Sequence, residues 1–330
     1  ETGMSGAKRA DPWFRNRGIR DGIHRALHAR MRADPSVFCM GEGSHMKMRF
    51  DAPAILEEFP DRILTLPISE DGSNGFAVGL ALAGIKPVVD VISSDFLYRC
   101  MDSICNTIAK HNHVRPGRPP ATFVIRAEFM TGGPSTGQRV ESMFMHIPGL
   151  RVVIPSNPKD ACGLMLTALT EPGATVFFED RMIEDSSTDP ADAPDDVPIP
   201  FGSAKVRKPG KKVTIVSYGL TTRLLDEILR DTPYEHIDLR TLWPLDIDLL
   251  VSHVEETSKL LVVEADTGGI GAEVVTQVVE KINQSRGYNF APDVARLTAP
   301  RVTIPACREL HDRLLPSREQ ILEAARRLAR

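Results

Sequence analysis

In the stretch PISEDGSNGF (67–76), one carboxylate, Glu70, stands between an apolar strand-like run and a segment of small residues suited to a buried helix. Burial can raise such a carboxyl toward neutrality, so that it shares a proton with a bound base instead of forming an ion pair. Alternatively it accepts backbone N–H bonds at the helix start, near Gly72. Spacing alone leaves both uses open. The five cysteines (Cys39, Cys100, Cys105, Cys162, Cys307) show no C-x-x-C or Cys/His ligand spacing and lie mostly in apolar surroundings, as expected of reduced core residues in a cytoplasmic protein. GGIGAEV (268–274) is glycine-rich but lacks the G-x-G-x-x-G pattern in a strand-to-helix setting, and reads as a tight turn before a helix.

The elements that must position these groups alternate strand and helix. VFCMGEG (37–43), RILTLPI (62–68), KPVVDVI (86–92), ATFVIRA (121–127) and LRVVIPS (150–156) read as buried strands. Between them, 21–33, 75–84, 97–112 and 158–171 read as helices, several opening after Ser, Asp or Gly. EDSSTDPADAPDDVPIP (184–200) has the Pro, Asp and Ser content of a linker. A second cycle follows, with strands at 211–219, 234–242 and 259–266 and helices from about Thr221, over 246–258 and after GGIG. The expected fold class is α/β, with two doubly wound domains over 15–183 and 201–330. Residues 1–14 form an N-terminal tail, in which Glu1–Gly3, ahead of Met4, are expected to be an expression remnant.

A length of 330 residues, with 42% hydrophobic and 25% charged composition, is enough for two cores. The formal charge of −4 and the scattered basic residues give no footprint for nucleic acid. No run approaches the ~20 apolar residues of a membrane span, and the N-terminus has no apolar signal-peptide core.

Six fragments in order carry a resemblance: PISEDGSNGFAVGLALAGIKPVVDVISSDF (67–96), MDSICNTIAK (101–110), HIPGLRVVIPSNPKDACGLM (146–165), VTIVSYG (213–219), IDLRTLWPLD (237–246) and ADTGGIGAEV (265–274). From about residue 15 to 328 the chain resembles the beta subunit of the thiamine-diphosphate-dependent decarboxylase of 2-oxoacid dehydrogenase complexes, pyruvate dehydrogenase beta in the transketolase-like superfamily. This implies a pyrimidine-binding domain followed by a transketolase C-terminal-like domain. It also implies that Glu70 is the catalytic acid, hydrogen-bonded to a ring nitrogen of the cofactor's aminopyrimidine, where proton exchange prepares the nucleophile. Phe96, 26 positions beyond Glu70, matches the aromatic residue that stacks on that ring. Ile68 matches a residue lining the same pocket, and Glu42 an acid that helps relay protons between active sites.

Two departures from the family pattern qualify the expected activity. Counting back from HIPGL, relatives carry Q-H-S-Q, with a histidine for acyl transfer, where this chain has Ser135, Thr136, Gly137 and Gln138. A threonine hydroxyl does not titrate near neutral pH. His45, His111 and His113 are possible substitutes, each also readable as a surface or capping histidine, and His146 reads as structural. The chain also contains no G-D-G motif for the cofactor's diphosphate and Mg²⁺. The resemblance therefore implies an alpha subunit that carries GDG and holds Mg²⁺, in an α2β2 heterotetramer with beta–beta contact. The expected substrate is a small 2-oxoacid, making the assembly an oxidoreductase component. The alternatives are a split transketolase-like transferase moving a two-carbon unit from a ketose, and a noncatalytic scaffold.

Overall fold

The computed structural model describes residues 18–42, 53–130, 133–184, 195–286 and 291–330. The first sheet contains β1 (Val37–Glu42), β2 (Ile63–Leu66), β3 (Lys86–Ser93), β4 (Thr122–Phe129), β5 (Leu150–Val153) and β6 (Gly173–Asp180). With β10 (Thr241–Trp243) it runs in the order β10-β5-β6-β4-β3-β1-β2, all parallel except β10. β4 is buried at every position, as a central strand covered by helices on both faces must be. On one face the helices Ile19–Ala33 and Pro158–Thr170 pack against each other. Gly22 permits their close approach, since a Cβ there would lie 2.0 Å from the Pro158 carbonyl oxygen. The helix Glu70–Leu82 belongs to the opposite face and packs against a 3-10 segment, Ser94–Cys100, which leads into a turn of wide, π-type helix at Ser103–Ile108.

The second sheet comprises β7 (Lys205–Lys208), β8 (Thr214–Ser217), β9 (Glu235–Asp238), β11 (Lys259–Val263) and β12 (Asp293–Leu297), in the order β12-β11-β8-β9-β7 with β7 antiparallel. The helices Gly219–Ile228 and Arg318–Leu328 contribute to the apolar cluster on one face. Residues of the helix Gly269–Arg286 join a cluster that continues into the first sheet, so the two sheets share a core. Among the described residues no helix is long and apolar enough to cross a membrane.

The chain proves to be α/β as read, with several differences in its elements: β7, β12 and the helix Arg318–Leu328 were not read from the sequence, and the helix expected over 97–112 is the 3-10 segment followed by the π-type turn. Strand β6 was not anticipated, although GATVFFED carries the short apolar run of a strand buried on both faces. The single strand expected over 234–242 divides at Arg240, where the chain bends at a φ of 57°. β9 stays in the second sheet while β10 crosses to the first, where it pairs antiparallel with β5. Arg240 then fastens the junction, donating to Asp160 Oδ1 at 3.2 Å and to the Ser203 carbonyl at 2.9 Å. Finally, the helix expected over 75–84 begins at Glu70 itself. Of the five cysteines, Cys39, Cys100 and Cys162 are buried and Cys105 half-buried, but Cys307 is exposed, so the reading as a core residue does not hold for Cys307.

Candidate active site

Parallel pairing of β1 with β2 and β3 sets the C-terminal end of β1, where Glu42 lies, beside the turn that leads into Glu70–Leu82. Glu42 is 2% exposed, and its Oε1 accepts a hydrogen bond from the Ser69 backbone N–H at 3.0 Å and another from Ser73 Oγ at 3.4 Å. It therefore satisfies donors at the helix start that Glu70 could otherwise have taken. Burial pushes the Glu42 carboxyl above its ordinary range and the neighbouring charge of Glu70 adds to this, against the Ser69 and Ser73 hydrogen bonds.

Glu70 is half-buried, and its side chain makes no hydrogen bond or ion pair among the described residues. Only its backbone carbonyl is engaged, by Asn74 Nδ2 at 2.8 Å. Asp71, next to it, accepts from Ser103 Oγ at 2.5 Å, which ties the first turn to the π-type segment. Ile68 is 74% exposed, so this chain alone does not enclose it. Phe96 is half-buried within the Ser94–Cys100 segment that packs against the Glu70 helix. The fold thus brings Glu42 and Glu70 together and holds the Phe96 segment against the same helix, with Ile68 at the open rim.

Sequence reasoning missed the polar link next to Phe96. Asp95, 8% exposed, accepts the Gln138 backbone N–H at 3.2 Å and Gln138 Nε2 at 2.6 Å, while Ser94 Oγ donates to the Gln138 carbonyl at 2.9 Å. The segment carrying Thr136 is thereby fixed alongside the Phe96 segment. Its glycines follow from crowding, since a Cβ at Gly133 (φ 91°) would lie 2.9 Å from Ala306 Cα. Thr136 is half-buried. Beyond it a cleft of about 780 Å³ opens between this segment and the second domain, lined by Gln138, Arg139, Asp266, Thr267, Arg301 and His311. Burial alone would lower the Arg139 pKa, but Asp180, 2.5 Å away, and Glu141 raise it.

Behind the cleft, Glu141 is fully buried, with neither carboxyl oxygen hydrogen-bonded, and desolvation reinforced by Asp266 pushes its pKa up to about 8. Nearby, Glu264 accepts from Tyr218 Oη at 3.2 Å and from the Gly271 N–H, and burial still raises it to about 7. A glutamate opening a short helix immediately after the Thr136 segment was the available sign, but its burial depends on the second domain. Of the possible histidine substitutes, His45 lies outside the described residues and His111 and His113 fall in the loop before β4, while His146, read as structural, is exposed just beyond the helix Glu141–Met145.

Residues 16–183 match the transketolase pyrimidine-binding domain, and residues 202–321 match the transketolase C-terminal domain. The chain belongs to the transketolase-like family. It is 32% identical to the pyruvate dehydrogenase E1 component subunit beta of Rickettsia felis, covering 94% of this chain and 97% of that one. It is also 32% identical to the beta subunit of acetoin:2,6-dichlorophenolindophenol oxidoreductase from Cupriavidus necator, covering 95% and 97%. Among solved structures, a split-gene transketolase described as an inactive beta4 tetramer matches with a TM-score of 0.76 at 20% identity, covering 94% of this chain and 98% of that one. The last likeness is one of fold. Within this transketolase-like chain, Glu42, Glu70 and Phe96 all lie in the region matched as pyrimidine-binding.

Proposed function

We propose that this chain is the beta-type subunit of a two-chain thiamine-diphosphate enzyme that cleaves a carbon–carbon bond next to a carbonyl, with a 2-oxoacid as substrate. The observation that carries the reading is the division of labour between two acids. Glu42 serves the backbone at the helix start, and Glu70 keeps a half-buried carboxylate with no partner among the described residues. An aminopyrimidine nitrogen suits the Glu70 carboxyl in hydrogen-bonding terms, and the segment packed against the same helix carries the aromatic side chain of Phe96.

Thiamine diphosphate, when bound, supplies the nucleophilic carbon and the electron sink. With that group bound, Glu70 would hold or yield a proton at the pyrimidine edge, Phe96 would orient the ring, and Ile68 would stand at the rim. Glu42 keeps the first turn of the Glu70 helix in place. The diphosphate and Mg²⁺ belong to an alpha chain bearing the GDG motif absent from this sequence, in an α2β2 assembly. The relatives' designation as beta subunits supports that partnership.

The open face of the Glu70 helix supports it too. Phe76 and Leu82 are exposed there, and a Cβ added at Gly75 or Gly79 would meet nothing within 4 Å. Thr136 in place of an imidazole favours a second reading, in which the acceptor is not a lipoyl group and the unit moved is a ketol.

The experiment combines this chain with its alpha partner and compares 2-oxoacids with ketose phosphates, following carbon dioxide release. A lipoylated carrier domain is added and analysed by mass spectrometry. Carbon dioxide release without carrier acylation is the expected result. Robust acylation would show that Thr136 does not alter the acceptor, and no cofactor-dependent turnover of either substrate class would refute the enzyme reading.

A further inference from the structure

At the opposite end of the Glu70–Leu82 helix, about 18 Å from Glu70 at 1.5 Å per residue, lies a separate cavity of about 270 Å³. Its charged lining is of one sign, Lys86, Arg115 and Arg118, with no Asp or Glu. Lys86 is balanced by Asp34 at 2.8 Å. Arg115 and Arg118 make no ion pair among the described residues.

The loop that presents them is built rather than slack. Arg115-Pro116-Gly117-Arg118 closes a turn through Arg118 N–H to the Arg115 carbonyl at 3.3 Å, with Gly117 at a φ of 80°. A positive φ at the third position is what a type II turn requires, and proline commonly precedes it. Asn112 pins the base of the loop, donating to the Ala121 carbonyl at 2.9 Å and accepting the Ala121 N–H at 2.7 Å. His111 lines the same cavity, is only 7% exposed, and has no side-chain hydrogen bond among the described residues. Its ring sits edge-on to Phe123 at 5.2 Å.

We infer that this cavity binds a phosphate-type oxyanion, free or as a small phosphate monoester, through Arg115 and Arg118 with His111 as a further donor. Guanidinium forks match the oxygen geometry of such anions and bind them bidentately. The volume lies below the ~300–1,000 Å³ typical of sites for drug-sized ligands, which favours an anion carrying few other atoms. The carbonyl end of the helix offers little opposition, because the amides of Ala83, Gly84 and Ile85 cap the carbonyls of Gly79, Leu80 and Ala81. Burial and the charge of Arg115 hold the His111 pKa below its ordinary range, and the other charged groups lining the cavity, Arg118 and the Asp34-paired Lys86, are also cationic. A bound anion offsets that field.

The test uses the full chain with inorganic phosphate in one arm and glycerol phosphate in the other, followed by calorimetry and by the His111 imidazole resonance, assigned with His111→Asn. Saturable binding is expected, with the His111 pKa moved up by the anion and affinity reduced at least about tenfold in Arg115→Ala/Arg118→Ala, the scale of one lost charge-assisted contact. Both arginines are exposed, so the variant should fold, and its thermal midpoint verifies this. Tighter binding of the monoester identifies an esterified ligand, and equal binding identifies the free anion. No saturable binding of either probe, or binding that the double variant retains, overturns the site and leaves the arginines as complements to the helix end. Neither result bears on Glu70.

Discussion

Glu42 and Glu70 are both acids at the mouth of the first sheet, but their surroundings give them different work. Glu70→Gln keeps the shape and removes the exchangeable proton. With the alpha partner present it should lower turnover by about a hundredfold or more, the usual range for acid–base assistance, while size-exclusion chromatography shows assembly intact. Near-normal turnover would remove Glu70 from the chemistry. Glu42→Ala should instead act on the fold, since it orphans the Ser69 N–H. A loss of about 1–3 kcal/mol is expected for an unsatisfied buried donor, read as a lower urea midpoint of the isolated chain. Glu42→Gln, which retains an acceptor oxygen, should keep most of that stability.

At the scale of elements, the helix Glu70–Leu82 serves two interests that a single substitution can separate. Glycine weakens a helix interior, and Gly→Ala in an open position is favourable by about 1 kcal/mol. Gly79 has nothing within 4 Å of an added Cβ, so Gly79→Ala should raise the thermal midpoint of the isolated chain. If the open face receives the alpha chain, the same methyl should weaken assembly, measured as a higher concentration for half-association. A variant that is more stable and assembles normally would move the partner interface elsewhere.

The helix was legible in the sequence except for its start. The small-residue run identified it, but Ser69 offers no side-chain cap bond, and the acceptor for its N–H comes from Glu42 on another strand. The division of 234–242 was hidden for a similar reason: YEHIDLRTL has one strand's pattern, and the turn is enforced at Arg240 by contacts with Asp160 and Ser203 far along the chain. Glu70, Glu42 and Phe96 could be nominated from the sequence through the P-I-S-E and G-E-G stretches and the register of Phe96 beyond Glu70, and the fold sets Glu42 against the start of the Glu70 helix. Asp95, Gln138 and Glu141 could not be nominated, because their positions depend on β3, the Thr136 segment and the second domain meeting.

Across the whole molecule, the seam between the domains stores acids at high pKa. Glu141 stands at about 8, with Glu264 and Asp238 at about 7, burial being the first cause for each. The seam is tight around them: a Cβ at Gly269 would lie 2.5 Å from that of Ser142, next to Glu141. An acid raised in the folded state binds its proton more tightly there than in the unfolded chain. Its favourable contribution is fully present below the unfolded pKa, about 4, and is lost as pH rises through the folded value. These three acids should therefore make stability fall between about pH 5 and about pH 9.

The depressed carboxylates do not offset this trend, and the buried His111 and His236, both lowered chiefly by burial, raise stability with pH only up to the ordinary histidine pKa of about 6.5, so the fall is read cleanly above about pH 7. Asp34 and Glu58, each at about 2, contribute above the unfolded pKa and lose that contribution only as pH falls toward 2, so both are ionised across the tested window. Urea midpoints should drop over that range, and Glu141→Gln, neutral at every pH, should flatten the drop. Because Asp266 raises Glu141, the variant should also relieve repulsion on the Asp266 side of the cleft. A midpoint that rises with pH, or one whose slope the variant leaves unchanged, would mean that water reaches Glu141 and that the seam is not closed in solution.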